Sequence, residues 1–118
     1  MLNADHERIA KIIAQTISLE EGIAWVKAQP KHTAVSFATP LRYEGFKDVD
    51  ISYLLCEQDH CILPEVQKAG IEMMERKSGR KVAVTSVPFD HCPPQTAEQQ
   101  TVDWILGVSK RVQERAQK

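Results

Sequence analysis

The sequence predicts an α/β protein with a short parallel sheet flanked by helices. Two apolar runs, at residues 51–56 and 82–87, are separated by a helical segment that begins at Pro64. A strand, a crossover helix and a second strand in this order are typical of a parallel pair. Both runs are almost entirely apolar, which is characteristic of strands that are buried on both faces of a sheet.

Composition limits the function classes. The 118 residues fit one domain, and a hydrophobic content of 42% favours a packed core. The formal net charge is −1 and there is no basic stripe, so we expect no nucleic-acid partner. Without a long apolar run or a signal-peptide pattern in residues 1–6, we expect no membrane partner and a cytoplasmic location, where the three cysteines stay reduced.

Residues 1–48 are predicted to be a helical, cap-like region followed by a connector. An isoleucine stripe predicts an amphipathic helix over residues 4–17. Ser18 and Glu21 form a capping box that begins a second helix, which ends before Pro30. The aromatic side chains of the connector, residues 30–48, either close the core or line a pocket, and the core interpretation is favoured.

Residues 49–118 are predicted to form a βαβα core. We expect strands at 50–56 and 81–87, a helix from Pro64 to Ser78, and a last helix opened by a capping box at Thr96-x-x-Gln99. The inward-facing residues expected on these two helices are Val66, Ala69, Gly70, Met73, Met74, Val102, Ile105, Leu106 and Val112.

Two strands are too few for a stable sheet in water. Either the connector adds a strand, or a second copy of the chain completes the sheet. We predict a homodimer, in which paired edge strands give a continuous sheet of about four or more strands.

Three sequence segments resemble the late part of an α/β-hydrolase. They are Tyr53-Leu54-Leu55-Cys56-Glu57-Gln58-Asp59, Leu63-Pro64-Glu65-Val66-Gln67 and Phe89-Asp90-His91-Cys92. The resemblance extends over residues 20–112 and is strongest to fungal secondary-metabolism hydrolases and to the branch of plant methylesterases and hydroxynitrile lyases. The half of that fold with the Gly-x-Ser-x-Gly nucleophile elbow is absent, so the chain looks like a truncated, C-terminal half.

The resemblance implies that Asp59 is the acid and His91 the base of a catalytic triad that lacks its serine. Such a pair still makes a general base. We expect it to act on a hydrophobic secondary metabolite, by epoxide hydrolysis or by base-triggered cyclisation of a polyketide. Glu57 and Asp90 are candidates for an acid or a supporting carboxylate, and the aromatic residues expected around the substrate are Trp25, Phe37, Tyr43, Phe46 and Phe89.

Other interpretations stay open at this point. The Asp59–His91 pair is purely structural if it only ties two loops together. The chain is then an interaction or regulatory subunit, or the half of a split hydrolase that a partner completes. Metal ligation and a Cys61–Cys92 disulfide are disfavoured, because the spacing of Cys56, Cys61 and Cys92 matches no standard zinc motif and the compartment is reducing. We therefore predict no cofactor and no metal.

Overall fold

The computed structural model describes residues 2–118, with side chains from Asp5 onward. It has six α-helices, one 3-10 turn and two strands within that range. In chain order they are α1 (Leu2–Ile13), α2 (Leu19–Ala28), α3 (Ala34–Ala38), the 3-10 turn (Gly45–Lys47), β1 (Ser52–Cys56), α4 (Pro64–Ser78), β2 (Ala83–Val87), α5 (Pro93–Thr96) and α6 (Glu98–Ala116). None of the described helices combines the length and the apolar character needed to cross a bilayer.

The two strands are parallel, as the sequence predicts, and run in register from Ser52 opposite Ala83 to Cys56 opposite Val87. Each strand is two residues shorter at its start than predicted. The Val82 N–H points away from β1, since the Ala83 N–H donates to Ile51 O, and it donates to the Glu75 carboxylate on α4 at 3.0 Å. The mixed α/β class with two parallel strands flanked by helices is therefore confirmed.

The core lies between β1 and α4 and is small. Leu55, Ile71 and Val82 are buried there, and Ile51, Tyr53 and Met74 pack against them. The predicted inner stripe of α4 is wrong in part, because Val66 is exposed whereas Gln67 and Ile71 are buried. The side chain of Gln67 fixes the rotation of the helix by bonding to the backbone of β1, a contact that hydrophobic periodicity does not reveal.

The second strand is not buried on both faces, which corrects the prediction. Four of the five residues of β2 are exposed, and Val84 is 46% exposed. The predicted inward face of α6 is wrong as well: its exposed apolar residues are Val102, Ile105, Leu106 and Val112. A hydrogen bond of 3.1 Å from the Trp104 indole to the Thr85 hydroxyl holds α6 beside β2.

Helices α1 and α2 form a hairpin that packs through small residues. Ala10 and Ala14 are buried against Gly22, where an added Cβ would come within 3.3 Å of the Ala10 Cβ. Helix α1 ends at Ile13, earlier than predicted, and the capping box that begins α2 at Ser18 is confirmed. The hairpin turn, residues 14–18, lies close to the loops that follow both strands, as its hydrogen bonds below show.

The connector contains no strand between residues 30 and 48, so the alternative that it extends the sheet is wrong. Its aromatic residues do not close the core either: Phe37 is 81% and Tyr43 is 71% exposed. Only Phe46 is half-buried, in the 3-10 turn that packs on α4. An ion pair between Glu44 and Lys77 of α4 helps to hold that turn.

The capping box predicted at Thr96 is absent. Helix α6 begins at Glu98, with Ala97 as its N-cap and no capping side chain. The Thr96 hydroxyl instead donates to Asp90 at 2.6 Å, and Gln99 donates to Asp103. The Thr96 hydroxyl therefore bonds to the buried Asp90 carboxylate, in the loop that carries His91, and does not cap α6.

Candidate active site

Asp59 is held at the end of β1 by its own turn. One carboxylate oxygen, Oδ1, accepts hydrogen bonds from the N–H groups of Cys61 and Ile62, each at 2.8 Å. This arrangement is the local turn that an aspartate side chain builds with the following backbone. It leaves Oδ2 to accept from His91 Nδ1 at 2.9 Å. The Asp59 side chain is 7% exposed, so this carboxylate is largely shielded from water.

His91 reaches Asp59 because the parallel pairing continues past the strands. The Glu57 N–H donates to Val87 O at 2.9 Å, and the Gln58 N–H donates to Phe89 O at 3.0 Å. These bonds keep the two outgoing chains side by side, at the edge where open α/β sheets place their sites. The His91 side chain is 27% exposed, about four times as much as its aspartate partner.

The contact with Asp59 selects one tautomer of a neutral His91. A carboxylate only accepts hydrogen bonds, so Nδ1 carries the proton and Nε2 holds a free lone pair. Residues 5–118 give Nε2 no hydrogen-bond partner. The pair therefore has the geometry of a carboxylate-oriented imidazole that is able to accept a proton at Nε2.

His91 lines two cavities. The Tyr53-side cavity has a volume of about 260 Å³ and includes both members of the pair. The Trp25-side cavity has a volume of about 360 Å³. The first is lined by Tyr53, Leu54, Cys56, Asp59, Ile62, Gln67, His91 and Pro93, and the second by Trp25, His91, Cys92, Pro94 and Gln95. A small, mostly apolar molecule has room on either side of the imidazole.

Asp90, the neighbour of His91, is completely buried. Its Oδ1 accepts from Cys92 N–H at 3.0 Å and from the Thr96 hydroxyl at 2.6 Å. Its Oδ2 accepts from the Thr16 hydroxyl at 2.6 Å and from Thr16 N–H at 3.4 Å. All four lone-pair positions of the carboxylate are thus occupied, which favours a supporting role over that of a proton donor.

The other predicted site residues lie further from the pair. Glu57 is exposed, accepts from the Ser86 hydroxyl at 2.6 Å, and lines neither cavity. Of the five predicted aromatic contacts, only Trp25 lines a cavity with His91, whereas Phe37, Tyr43, Phe46 and Phe89 line neither. Phe89 is half-buried, and its carbonyl belongs to the strand-end pairing.

Sequence reasoning missed Tyr53 and Gln67 as lining residues. The Gln67 amide accepts from Cys56 N–H at 3.0 Å and donates to Cys56 O at 2.9 Å and Ile62 O at 2.8 Å. It thus ties β1 to the loop that carries Asp59. The Pro-Glu-x-Gln segment at Pro64 contains this residue, and its early position in a helix is the signal that points to such a contact.

Cys56 and Cys92 do not replace the absent serine. All three cysteines are free, and Cys61 is the exposed one. Burial, with the neighbouring Asp90 and Asp59 carboxylates, raises the pKa of Cys92 to about 11. Burial also raises the pKa of Cys56. Both thiols are protonated near neutral pH, whereas the nucleophile in cysteine chemistry is the thiolate.

No serine lines either of the two cavities beside His91. Among the residues whose side chains are described, 5–118, no three His, Cys, Asp or Glu groups are placed to hold a metal ion. The chemistry that this arrangement can perform on its own is thus proton transfer by the imidazole, since a general base needs only a positioned lone pair.

Comparison with known proteins gives a partial match. No protein-family model matches the chain. The chain is similar to a protein of Phoma sp. named "Probable hydrolase R7", with 34% identity over 62 residues. The match covers 52% of this chain and 25% of that protein, so the matched part is only about a quarter of the relative's length. The similarity supports a relationship with a hydrolase.

Proposed function

We propose that this chain is a small hydrolase-like enzyme in which Asp59 and His91 act as a general base without a serine nucleophile. The observation that carries the proposal is the 2.9 Å contact between His91 Nδ1 and Asp59 Oδ2, which leaves Nε2 free beside two cavities. The relationship with a protein named as a probable hydrolase supports the same class of reaction.

The proposed substrate is a hydrophobic secondary metabolite that carries an epoxide. His91 Nε2 takes a proton from water while the water oxygen attacks a ring carbon and the epoxide C–O bond breaks. The alkoxide that results takes the proton back from the imidazolium, which gives a vicinal diol. A positioned base of this kind contributes roughly 10²–10⁴ in rate.

Base-triggered cyclisation of a polyketide is the second reaction that suits the same pair. In that case Nε2 removes a proton from an acidic carbon, and the carbanion attacks a carbonyl carbon to form a ring C–C bond. The new alkoxide is protonated by the imidazolium. The apolar lining of the Tyr53-side cavity, with Leu54, Ile62 and Pro93, fits a hydrophobic substrate in either reaction.

The test uses the purified chain with an aryl epoxide and follows diol formation. We expect His91→Gln and Asp59→Asn to lower the rate by about 10²-fold or more, since each removes the oriented base. His32→Gln is the matched control, because His32 lies in the exposed connector. Equal rates for the wild type and both site variants would reject the general-base function.

A non-catalytic role is the second candidate, and the open edge of β1 favours it. Backbone groups of a strand alternate between its two sides, and Ile51 and Glu57 face β2. Ser52 and Leu54 therefore face away from β2. On that side Gln67 pairs with both backbone groups of Cys56, and Leu54 O accepts a weak, 3.8 Å contact from the Cys56 thiol. An unpaired edge of this kind is a template for another strand.

We propose that a second copy of the chain occupies this edge, in a homodimer whose sheet runs through both subunits. The alternative occupant is a partner that supplies the rest of a split hydrolase. Light scattering coupled to size-exclusion chromatography separates the two. A dimer that Leu54→Pro converts to a monomer supports the first occupant, because proline removes the edge N–H. A strict monomer at micromolar concentration would reject it.

A further inference from the structure

The two residues that follow Ala14 in the hairpin turn contact both loops of the site. Gln15 Nε2 donates to Gln58 O at 2.5 Å, one residue before Asp59. The Thr16 hydroxyl donates to Asp90 Oδ2 at 2.6 Å, one residue before His91. These bonds join positions 43 and 74 residues apart in the chain. The hairpin turn thus bonds to the backbone of Gln58, next to Asp59, and to the side chain of Asp90, next to His91.

We propose that the hairpin turn is a positioning element, in which Gln15 and Thr16 hold the two site loops so that His91 keeps its Nδ1–H tautomer toward Asp59. The proposal deepens the proposed function and rests on it only for the catalytic consequence. The geometric consequence, the state of the imidazole, is measurable in a chain with no activity at all.

The burial of Asp90 makes the Thr16 contact sensitive to change. The carboxylate is fully buried, and Oδ2 has no donors other than the hydroxyl and the more distant N–H of Thr16. A buried charge that loses a hydrogen bond moves toward water or another donor. Since Asp90 precedes His91 directly, a shift of its side chain moves the backbone that carries the imidazole.

The other oxygen of Asp90 anchors the opposite side of His91. Oδ1 accepts from the N–H of Cys92 and from the Thr96 hydroxyl at the end of α5. The residues on either side of His91 are therefore bonded to each other, because the Cys92 N–H donates to the Asp90 carboxylate. With the Thr16 hydroxyl in place, the Asp90 carboxylate links the hairpin, the His91 loop and α5. Without that hydroxyl, the link from Asp90 to the hairpin is reduced to the 3.4 Å contact from the Thr16 N–H.

The hairpin also supplies a wall of the site. Trp25 lies on α2 and lines the Trp25-side cavity together with His91. Thr16 and Trp25 belong to the same packed hairpin. The bond from Thr16 to Asp90 therefore positions the His91 loop relative to Trp25, which lines the same cavity. This gives the hairpin a role in the alignment of substrate as well as of the base.

The test measures the ¹⁵N shifts of the two ring nitrogens of His91 in the full chain, which distinguish the Nδ1–H from the Nε2–H tautomer. We expect the wild type to hold the Nδ1–H form, and Thr16→Val, which keeps shape but loses the hydroxyl, to give a mixture. Exchange of the Nδ1 proton with water should rise about tenfold or more, since the loop opens locally. Thr16→Ser should restore the wild-type values.

Two matched variants separate positioning from general loss of stability. Thr39→Val removes an exposed threonine hydroxyl that bonds to Val35 O, far along the chain from the site, and should leave both readouts of His91 unchanged. Gln15→Leu removes the bond to Gln58 and should raise Nδ1 exchange without altering exchange of the amides in α4. If Thr16→Val does not fold, Gln15→Leu carries the test alone.

Unchanged tautomer and exchange in folded Thr16→Val or, failing that, in Gln15→Leu would overturn the proposal. An increase in exchange that is equal at His91 and throughout α4 would also overturn it, because it would show only global unfolding. A chain that converts no substrate but has the expected His91 response would reject the proposed function and leave the positioning role standing.

Discussion

The loops that follow β1 and β2 differ from the connector before β1 in which of their groups are buried. At the strand ends, two buried carboxylates and one buried amide have nearly every polar atom bonded. The connector, residues 30–48, instead exposes most of its large apolar side chains, such as Val35, Phe37 and Leu41, to water. Hydrogen-bonded anchors around Asp59 and His91 therefore distinguish the two site loops from the connector.

Asp90→Ala should have the largest effect on stability, and it tests the anchored side of the comparison. It removes the acceptor of the Thr16 hydroxyl and of the Cys92 N–H, and it leaves the Thr96 hydroxyl with only Cys92 O, at 3.1 Å. Hydrogen bonds to a charged group are worth about 1.5–3 kcal/mol each, so we expect the unfolding free energy to fall by about 3 kcal/mol. Urea denaturation followed by circular dichroism measures this.

The control is Asp48→Ala, in the connector. Asp48 is exposed and bonded to Tyr43, so its loss should change the unfolding free energy by less than about 0.5 kcal/mol. Equal losses for the two aspartates would contradict the contrast between the anchored loops and the connector.

Gln67→Leu comes next. The substitution keeps much of the side-chain volume but removes the partner of the Cys56 N–H and of the Ile62 carbonyl. It leaves the Cys56 carbonyl with only the 3.4 Å contact from the Asp59 N–H. We expect a loss of about 2 kcal/mol in unfolding free energy, since unsatisfied buried groups cost about 1–3 kcal/mol. Gln99→Leu, on the exposed surface of α6, should cost much less in the same urea titration. A Gln67 variant as stable as the Gln99 variant would show that water replaces the amide freely.

Sequence reasoning succeeded where partners lie close along the chain. Ser18 and Glu21 cap α2 because the two are one turn apart, and Pro64 and Gly79, with φ of 69°, mark the limits of α4. It failed where a side chain had a better distant partner. Thr96 carries a capping pattern, but its hydroxyl bonds to Asp90, and the link from Thr16 to Asp90 spans 74 positions. No local pattern encodes that link.

The contact between Asp59 and His91 at the strand ends could be predicted from the sequence only in part. Each residue follows an apolar run, and parallel strands end at the same edge, so topology alone brings the two together. Which carboxylate oxygen faces the imidazole depends on the turn, because the Cys61 and Ile62 N–H groups occupy Asp59 Oδ1. Periodicity on α6 gave a wrong inward face, because an apolar stripe such as Ile105 and Leu106 predicts a buried face only when a partner covers it.

The pH dependence of the unfolding free energy measures how well the Cys92 thiol is buried beside Asp90. The Cys92 pKa of about 11 in the fold exceeds the ordinary value near 9, so the folded chain holds the thiol proton more tightly than the unfolded chain. This contribution to stability is fully present below pH 8.5–9 and is lost as pH rises toward about 11. Cys92→Ala should remove that decline in urea midpoints measured from pH 8 to pH 11.

Alkylation gives a second measurement of the same group. At pH 8, iodoacetamide should modify the exposed Cys61 well before Cys92, since the thiolate reacts and Cys92 is protonated. Cys61→Ser isolates the slow reaction of Cys92, whose rate should climb up to about pH 11. Rapid modification of Cys92 at pH 8 in the folded chain would mean that the edge around Asp90 opens readily.

The smallest effect is expected for the connector aromatics, and it tests the exposed side of the comparison. Phe37 is 81% exposed and contacts the ring of His32, with centroids 4.6 Å apart. Phe37→Ser should therefore change the unfolding free energy by less than about 0.5 kcal/mol and leave the rate on an aryl epoxide unaltered. Trp25→Ser is the contrasting variant, because Trp25 lines a cavity with His91 and should raise KM. If Phe37→Ser raised KM as much as Trp25→Ser, the connector would have to fold over His91 when substrate binds. Phe37, Tyr43 and Phe46 would then line the binding site, which is the pocket interpretation of the connector.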